Sequence, residues 1–121
     1  KNLSNPHNPN ELIDMVLSEL EQRLKEDSEK DDFPLLRKIN IHLSTLEISS
    51  DEGFLSITAE VIDALNPSNP PIVYVLYTGA CSSLKFAKSL ADKFKELNSP
   101  KHRLIYEKKY QCSLNFSYHL G

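Results

Sequence analysis

Apolar side chains recur every three or four positions in two stretches of the chain, which is the spacing of one buried helix face. The first stretch follows Asn8 and Pro9, residues that suit the cap and the first turn of a helix. The second begins near Ser82 or Ser83 and ends before Pro100. The pattern predicts two helices with the buried stripes Leu12, Ile13, Val16, Leu17, Leu20 and Leu24, and Ala87, Leu90, Ala91, Phe94 and Leu97.

Alternation with a period of two predicts strands between these helices. Residues 38–48 alternate but change phase between Leu43 and Leu46, which predicts a β-bulge. Residues 55–61 alternate again after a polar turn, so the two strands form a hairpin. Residues 72–77 are a continuous apolar run, typical of a central strand that is covered on both faces.

The longest alternation covers residues 104–120, where every even position except Lys108 is apolar or aromatic and the odd positions are polar except Ile105. A straight strand of this length would span about 56 Å, which is more than a domain of this size usually covers. We therefore expect one bent strand, a hairpin that turns near Lys108 and Lys109, or a strand that extends to a partner.

The predicted order is α-β-β-β-α-β, with a further strand if residues 104–120 form a hairpin. We expect an α+β domain in which the helices pack on one face of an antiparallel β-sheet. The 121 residues suffice for a single domain with one core. Residues 1–10 are expected to be a flexible arm and residues 25–33 a charged loop.

Charge is distributed unevenly along the chain, although the net charge is only −3. Residues 1–33 carry four basic and nine acidic side chains, residues 34–77 carry two and five, and residues 78–121 carry eight and three. The basic last third suggests that a partner is steered to one end of the molecule. It argues against general nucleic-acid binding by the whole chain.

Candidate catalytic chemistry is sparse. Cys81 follows a strand and precedes a helix, where the helix dipole can lower the pKa of a thiol. A phosphatase-type thiol loop would have arginine where Ala87 stands, so a packing role for this thiol is favoured. Gly79 marks a turn that could hold an anion, but no phosphate-loop motif surrounds it, and the four histidines show no metal-ligand spacing. We expect no enzyme activity, no cofactor and no metal site.

The two cysteines, Cys81 and Cys112, do not suggest a disulfide framework, and a reduced intracellular compartment is expected. No apolar run approaches the 18 residues of a membrane span, so no membrane partner is expected. We take the cytoplasm as the expected location and the nucleus as a second one.

Three segments resemble the small heterodimeric proteasome-assembly chaperones. Residues 75–79 (VLYTG) end a strand in a glycine-containing turn, residues 86–90 (FAKSL) follow on a helix, and an alternating strand ends the chain at residues 112–120. The preceding hairpin fits the same order, whereas the first helix has no counterpart. The resemblance implies a protein without enzyme activity that forms a heterodimer with a sister chaperone and docks on a proteasome α-ring subunit.

The order α-β-β-β-α and residues 83–91 (SLKFAKSLA) also resemble a degenerate double-stranded-RNA-binding domain, with Leu84 in place of one lysine of that family's helix start. This alternative implies that Lys85 and Lys88 contact RNA phosphates. The acidic first helix and the long alternating segment after the second helix argue against it.

We predict a non-catalytic protein-binding module, an assembly chaperone or a scaffold subunit, that forms a hetero- or homodimer through the last strand. A long alternating strand with aromatic side chains is an aggregation hazard unless it is covered, and pairing with a partner would cover it. Aromatic residues would then anchor the interface, and nearby basic residues would steer an acidic partner. The predicted partner-binding residues are Tyr110, Leu114, Phe116, Tyr118, Lys101, Arg103, Lys108 and Lys109.

Overall fold

The computed structural model describes residues 8–47, 49, 52–81 and 84–120. The elements in chain order are α1 (Pro9–Asp27), β1 (Arg37–Glu47), β2 (Gly53–Asp63), β3 (Ile72–Cys81), α2 (Leu84–Leu97), α3 (Pro100–Tyr110) and β4 (Ser113–Leu120). This is an α+β fold, as predicted, with one helix more than the sequence pattern indicated.

The four strands form one sheet in the order β3-β2-β1-β4. The meander β1-β2-β3 is antiparallel, whereas β4 runs parallel to β1. The sheet is therefore mixed and not purely antiparallel as expected. The reason is the connection: α2 and α3 carry the chain from β3 to the opposite edge, and such a crossover returns the next strand in the same direction.

The helices all lie on one face of the sheet, as predicted. The strands alternate so that one face is buried beneath the helices. No helix of the described residues lies on the opposite side, which we call the open face. The buried strand residues are Ile39, Ile41, Leu43, Leu55, Ile57, Ala59, Val61, Tyr74, Leu76, Leu114 and Phe116. They form one core with the predicted stripes of α1 and α2, every member of which is buried.

The start of α1 confirms the predicted cap, because the Asn8 side chain accepts a hydrogen bond from the Glu11 N–H at 2.8 Å. The end of the predicted arm is therefore helical, while residues 1–7 lie outside the described residues. The helix continues through Asp27, so the charged loop begins later than expected. Tyr74 of β3 donates a 2.5 Å hydrogen bond to the Asp27 carboxylate and fixes the end of α1 to the sheet.

Residues 104–110 are helical, so the predicted strand over residues 104–120 is wrong in its first half and correct from Ser113 onward. Pro100 occupies the first turn of α3, where its missing N–H and fixed φ are tolerated. Tyr106 and Tyr110 are one helical turn apart, so positions that alternate with a period of two also share a helix face. The turn into β4 is made by Gln111, which has a left-handed φ of 54°.

Two further strand predictions are corrected. β1 pairs with β2 in unbroken register from Arg37 to Glu47, so the predicted bulge near Leu46 is absent; a register shift occurs instead between β2 and β3 at Ile57/Thr58. β3 is an edge strand and not a central one. Its apolar run supplies side chains to both faces of the sheet, and only one of those faces is covered.

Phe116 is the point where β4 joins the helical layer. Its ring lies edge-on to Phe94 of α2, with centroids 5.4 Å apart, and to Tyr106 of α3 at 6.3 Å. Edge-to-face aromatic pairs add to the free energy gained by burial. The core therefore depends on β4 as well as on the meander.

Replacing Phe116 with alanine should lower the free energy of unfolding by about 3–5 kcal/mol, because the side chain is buried and its loss leaves a cavity. Urea unfolding followed by circular dichroism measures this change. The matched control is Tyr118→Ala, two positions along the same strand, where the side chain is 46% exposed. Equal losses in the two variants would contradict the placement of β4.

Candidate protein-binding surfaces

Three of the four predicted apolar anchors are not available to a partner. Tyr110 is 8% exposed, Leu114 is fully buried and Phe116 is 2% exposed. α2 and α3 pack on β4 and cover Leu114 and Phe116, while Tyr110 is the last residue of α3 and is buried in the same core. The expectation that a partner buries these side chains is therefore corrected: the chain's own core does so. Tyr118 lies beyond the helical cover and remains exposed.

The outer edge of β4 is capped by side chains over its first half. The Leu114 N–H donates to Glu107 Oε2 at 3.0 Å, and the Phe116 N–H donates to Asn98 Oδ1 at 2.8 Å. Asn98 Nδ2 donates in turn to the Phe116 carbonyl. The Asn98 amide thus takes the place of a neighbouring strand, and this stretch of the edge is unavailable for strand pairing.

The open face carries two pairs of exposed apolar side chains that sequence reasoning missed, and a row formed by Ser44, Ser56 and Thr78 separates the two pairs. Leu46 and Phe54 are direct cross-strand partners and are 64% and 41% exposed. Val73 and Val75 of β3 form the second pair, opposite Glu60 and Thr58 of β2, and are also exposed. We call these four residues the apolar band. Two signals in the sequence point to it: the phase change at Leu46 and the unbroken apolar run of β3.

The centre of the open face is polar. His42 Nδ1 lies 2.6 Å from Ser117 Oγ of β4, and its Nε2 lies 3.7 Å from Glu60 Oε1 of β2. Asn40 Nδ2 donates to the same Glu60 oxygen at 3.3 Å. These contacts link β4, β1 and β2 across the face. They hold three strands of the open face in a fixed arrangement beside the apolar band.

The predicted basic residues all lie on α3, but they differ in their surroundings. Arg103 pairs with Glu107 at 3.5 Å, and Lys109 reaches Glu21 of α1 at 3.6 Å. Lys101 and Lys108 are exposed and take part in no ion pair among the described residues. The basic stretch is therefore partly neutralised by this chain's own carboxylates.

Two large apolar residues between these basic positions were also missed as surface residues. Leu104 and Ile105 are 68% and 57% exposed on α3. Leu104 belongs to the alternating pattern that predicts a strand and Ile105 is an exception to it, whereas the helix turns both side chains outward. A helical reading from Pro100 would have shown them on the face opposite Tyr106 and Tyr110.

Both cysteine side chains, Cys81 and Cys112, pack in or against the hydrophobic core. Cys112 is buried, and burial raises the pKa of its thiol to about 11, so it is protonated at neutral pH. Cys81 is half-buried at the end of β3, and residues 82 and 83, where the predicted helix start lies, are outside the described residues. No group of three or more His, Cys, Asp or Glu side chains is placed to hold a metal ion within the described part of the chain.

The two lysines of the RNA alternative lie on the exposed side of α2. Lys85 and Lys88 are both exposed, and α2 directly follows the antiparallel meander. The exposed side of α1, however, carries carboxylates, including Glu11, Asp14 and Glu26. A polyanion that contacted both helices would meet opposite charges.

No family model, no curated protein and no solved structure matches this chain. No helix among the described residues is long and apolar enough to cross a membrane. The function is therefore inferred from the geometry and the charges of the surfaces described above.

Replacing Asn98 with alanine should remove both hydrogen bonds to the Phe116 backbone and leave a partly buried N–H without its acceptor. Such a loss typically costs about 1–3 kcal/mol of unfolding free energy. Hydrogen exchange should accelerate at the Phe116 amide. The control is Asn115→Ala, which removes an amide from β4 on the open face; unchanged protection of Phe116 in the Asn98 variant would refute the edge cap.

Proposed function

We propose that this chain is a non-catalytic protein-binding module that pairs with a sister chain through the open face of its sheet. In this proposal it acts as a subunit of an assembly chaperone of the proteasome type, which its sequence resembles, and the pair docks on a proteasome α-ring subunit. The sequence pattern predicts a partner on the apolar side of β4, whereas this proposal places the partner on the opposite side of the sheet.

The observation that carries the proposal is the exposure of the apolar band on a sheet covered by helices on one face only. Leu46, Phe54, Val73 and Val75 occupy alternating strand positions that are usually polar in a sheet facing water. In this proposal a partner covers both pairs of apolar side chains.

A second sheet is the partner surface that fits this face best. Strand side chains that project from a sheet at every second residue interdigitate with those of another sheet, and the two sheets lie about 10 Å apart. The polar centre around His42 and Glu60 would then form hydrogen bonds across the interface and favour one orientation of the pair. A sister chain of the same fold supplies such a sheet.

Replacing Val73 and Val75 with aspartate should abolish pairing while leaving the fold intact, because both side chains are exposed in the single chain. We expect light scattering to show a dimer for the wild-type chain and a monomer for the double variant. If the dimer is a heterodimer, the measurement is made after the sister chain has been added. Circular dichroism should be unchanged.

The matched control is the double variant Leu35→Asp and Leu65→Asp, which adds the same charge at two exposed leucines outside the open face and should still pair. Tagged wild-type chain should capture a sister chain and a proteasome α subunit from its native source, and the Val73/Val75 variant should lose the sister. A double variant that still pairs would exclude the open face as the interface. Capture without any proteasome subunit would exclude the chaperone role.

Binding to double-stranded RNA is a second candidate, favoured by the exposed Lys85 and Lys88 on the helix that follows an antiparallel meander. If it holds, Lys85→Glu with Lys88→Glu should weaken binding to duplex RNA by about tenfold or more, with a strong salt dependence. Electrophoretic mobility shift measures this, with Lys101→Glu and Lys108→Glu as the charge-matched control. Equal RNA affinity in both double variants would count against this candidate.

A further inference from the structure

The outward side of α3 carries a short stripe of mixed character. Lys101, Leu104, Ile105 and Lys108 follow one another at the spacing i, i+3, i+4 and i+7, which places them on one helix face. The apolar pair is exposed, and each lysine lies one turn from it. The two lysines start about 10 Å apart along the helix axis. We call these four residues the α3 stripe.

Two carboxylates at α3 are engaged away from the stripe. Glu107 accepts from the Leu114 N–H at 3.0 Å and from Arg103 at 3.5 Å, on the side of α3 that faces β4. Glu21 pairs with Lys109 at 3.6 Å. Lys101 and Lys108 have no carboxylate partner among the described residues, so the stripe presents positive charge on both sides of an apolar centre.

We propose that the α3 stripe binds an acidic amphipathic helix of another protein. The complementary ligand has a leucine-like apolar pair in its centre and a carboxylate one turn to either side, and it lies along α3. Apolar contact supplies the affinity in this mode of recognition, while the charges set the orientation and the encounter rate.

A second copy of the chain does not supply this ligand through α1, its acidic helix. All large apolar side chains of α1 except Met15 face its own core and are buried, namely Leu12, Ile13, Val16, Leu17, Leu20 and Leu24; Met15 is half-buried and has no exposed apolar neighbour on the helix. The exposed side of α1 therefore offers carboxylates without an apolar centre. The other two helices expose lysines, such as Lys88 and Lys95 on α2, and would repel the stripe. We therefore assign the ligand to a helix of a different protein.

The α3 stripe goes beyond the proposed pairing, because it lies in the helical layer and the open face lies on the other side of the sheet. A sister chain on the open face leaves α3 accessible. The two proposals are separable: loss of helix binding on α3 does not predict loss of pairing.

The test uses a fluorescent helical peptide with two central leucines flanked by glutamate one turn away on each side, and fluorescence anisotropy with the full chain. Lys101→Glu with Lys108→Glu should weaken binding about fivefold or more, because two attractive contacts become repulsive. The same variant should bind a second peptide, in which lysine replaces glutamate, more tightly than the wild-type chain does. Leu104→Ser with Ile105→Ser should weaken binding of both peptides about tenfold or more.

The control variant is Lys88→Glu with Lys95→Glu on α2, which makes the same charge change at the same seven-residue spacing. The residues between them are the buried Ala91 and the charged Asp92, so no exposed apolar pair separates those lysines. This variant should bind the acidic peptide like the wild type, and all variants should keep the oligomeric state of the wild type in light scattering.

Three outcomes would overturn the proposal. The first is equal affinity of the wild-type chain for the acidic and the lysine peptide. The second is failure of the charge-reversed variant to bind the lysine peptide. The third is binding of the wild-type chain to anionic vesicles or duplex RNA with no binding of the acidic peptide, which would assign the stripe to a different class of ligand.

Discussion

The alternation of side chains along β1 and β2 is the constraint on which the other parts of this structure depend. It directs Ile39, Ile41 and Leu43 of β1 to one side of the sheet, together with their cross-strand partners on β2, and none of these side chains is left in contact with water. All three helices then have to cover that side. The opposite side remains bare, which is why the surface that supports the proposed pairing exists at all.

β4 has two roles in this arrangement. Leu114 and Phe116 complete the core beneath α2 and α3, and the backbone of the same strand is held by Asn98 and Glu107. The two helices of the crossover therefore both cover β4 and protect its edge. A consequence is that the exposed surface is divided into distinct regions: a bare sheet on one side and, on the other, an acidic α1 linked to a basic α3 through the ion pair of Glu21 and Lys109.

The sequence was sufficient to predict an element where the element follows a single hydrophobic periodicity. The stripes of α1 and α2 and the hairpin of β1 and β2 follow from spacing alone, because burial on one face leaves a simple repeat. Residues 104–110 could not be assigned in this way. Tyr106 and Tyr110 satisfy both a period of two and a one-turn helical spacing. The helix is favoured by Pro100 in its first turn and by the packing of Tyr106 against Phe116, which is a tertiary contact.

The candidate surfaces were less predictable than the fold, for a related reason. The apolar run of residues 72–77 predicts a strand covered on both faces, yet Val73 and Val75, like Leu46, lie on a face that no described residue of the chain covers. Periodicity reports which side chains share a face, but it does not report whether a helix lies over that face. The prediction that a partner contacts Tyr110, Leu114 and Phe116 is wrong for the converse reason: α2 and α3 cover the two β4 residues, and Tyr110 of α3 is buried in the same core.

The pairing of β1 with β4 also has a consequence for how the molecule is assembled. His42 of β1 and its neighbour Ser117 of β4 are 75 positions apart in the sequence. β1 can pair with β4 only after the meander and both crossover helices have been synthesised. Contacts between such distant positions slow folding, because a long loop must close before they form. During that interval one side of β1 lacks its backbone partners, so the newly made chain is more exposed to wrong strand pairing than the finished molecule.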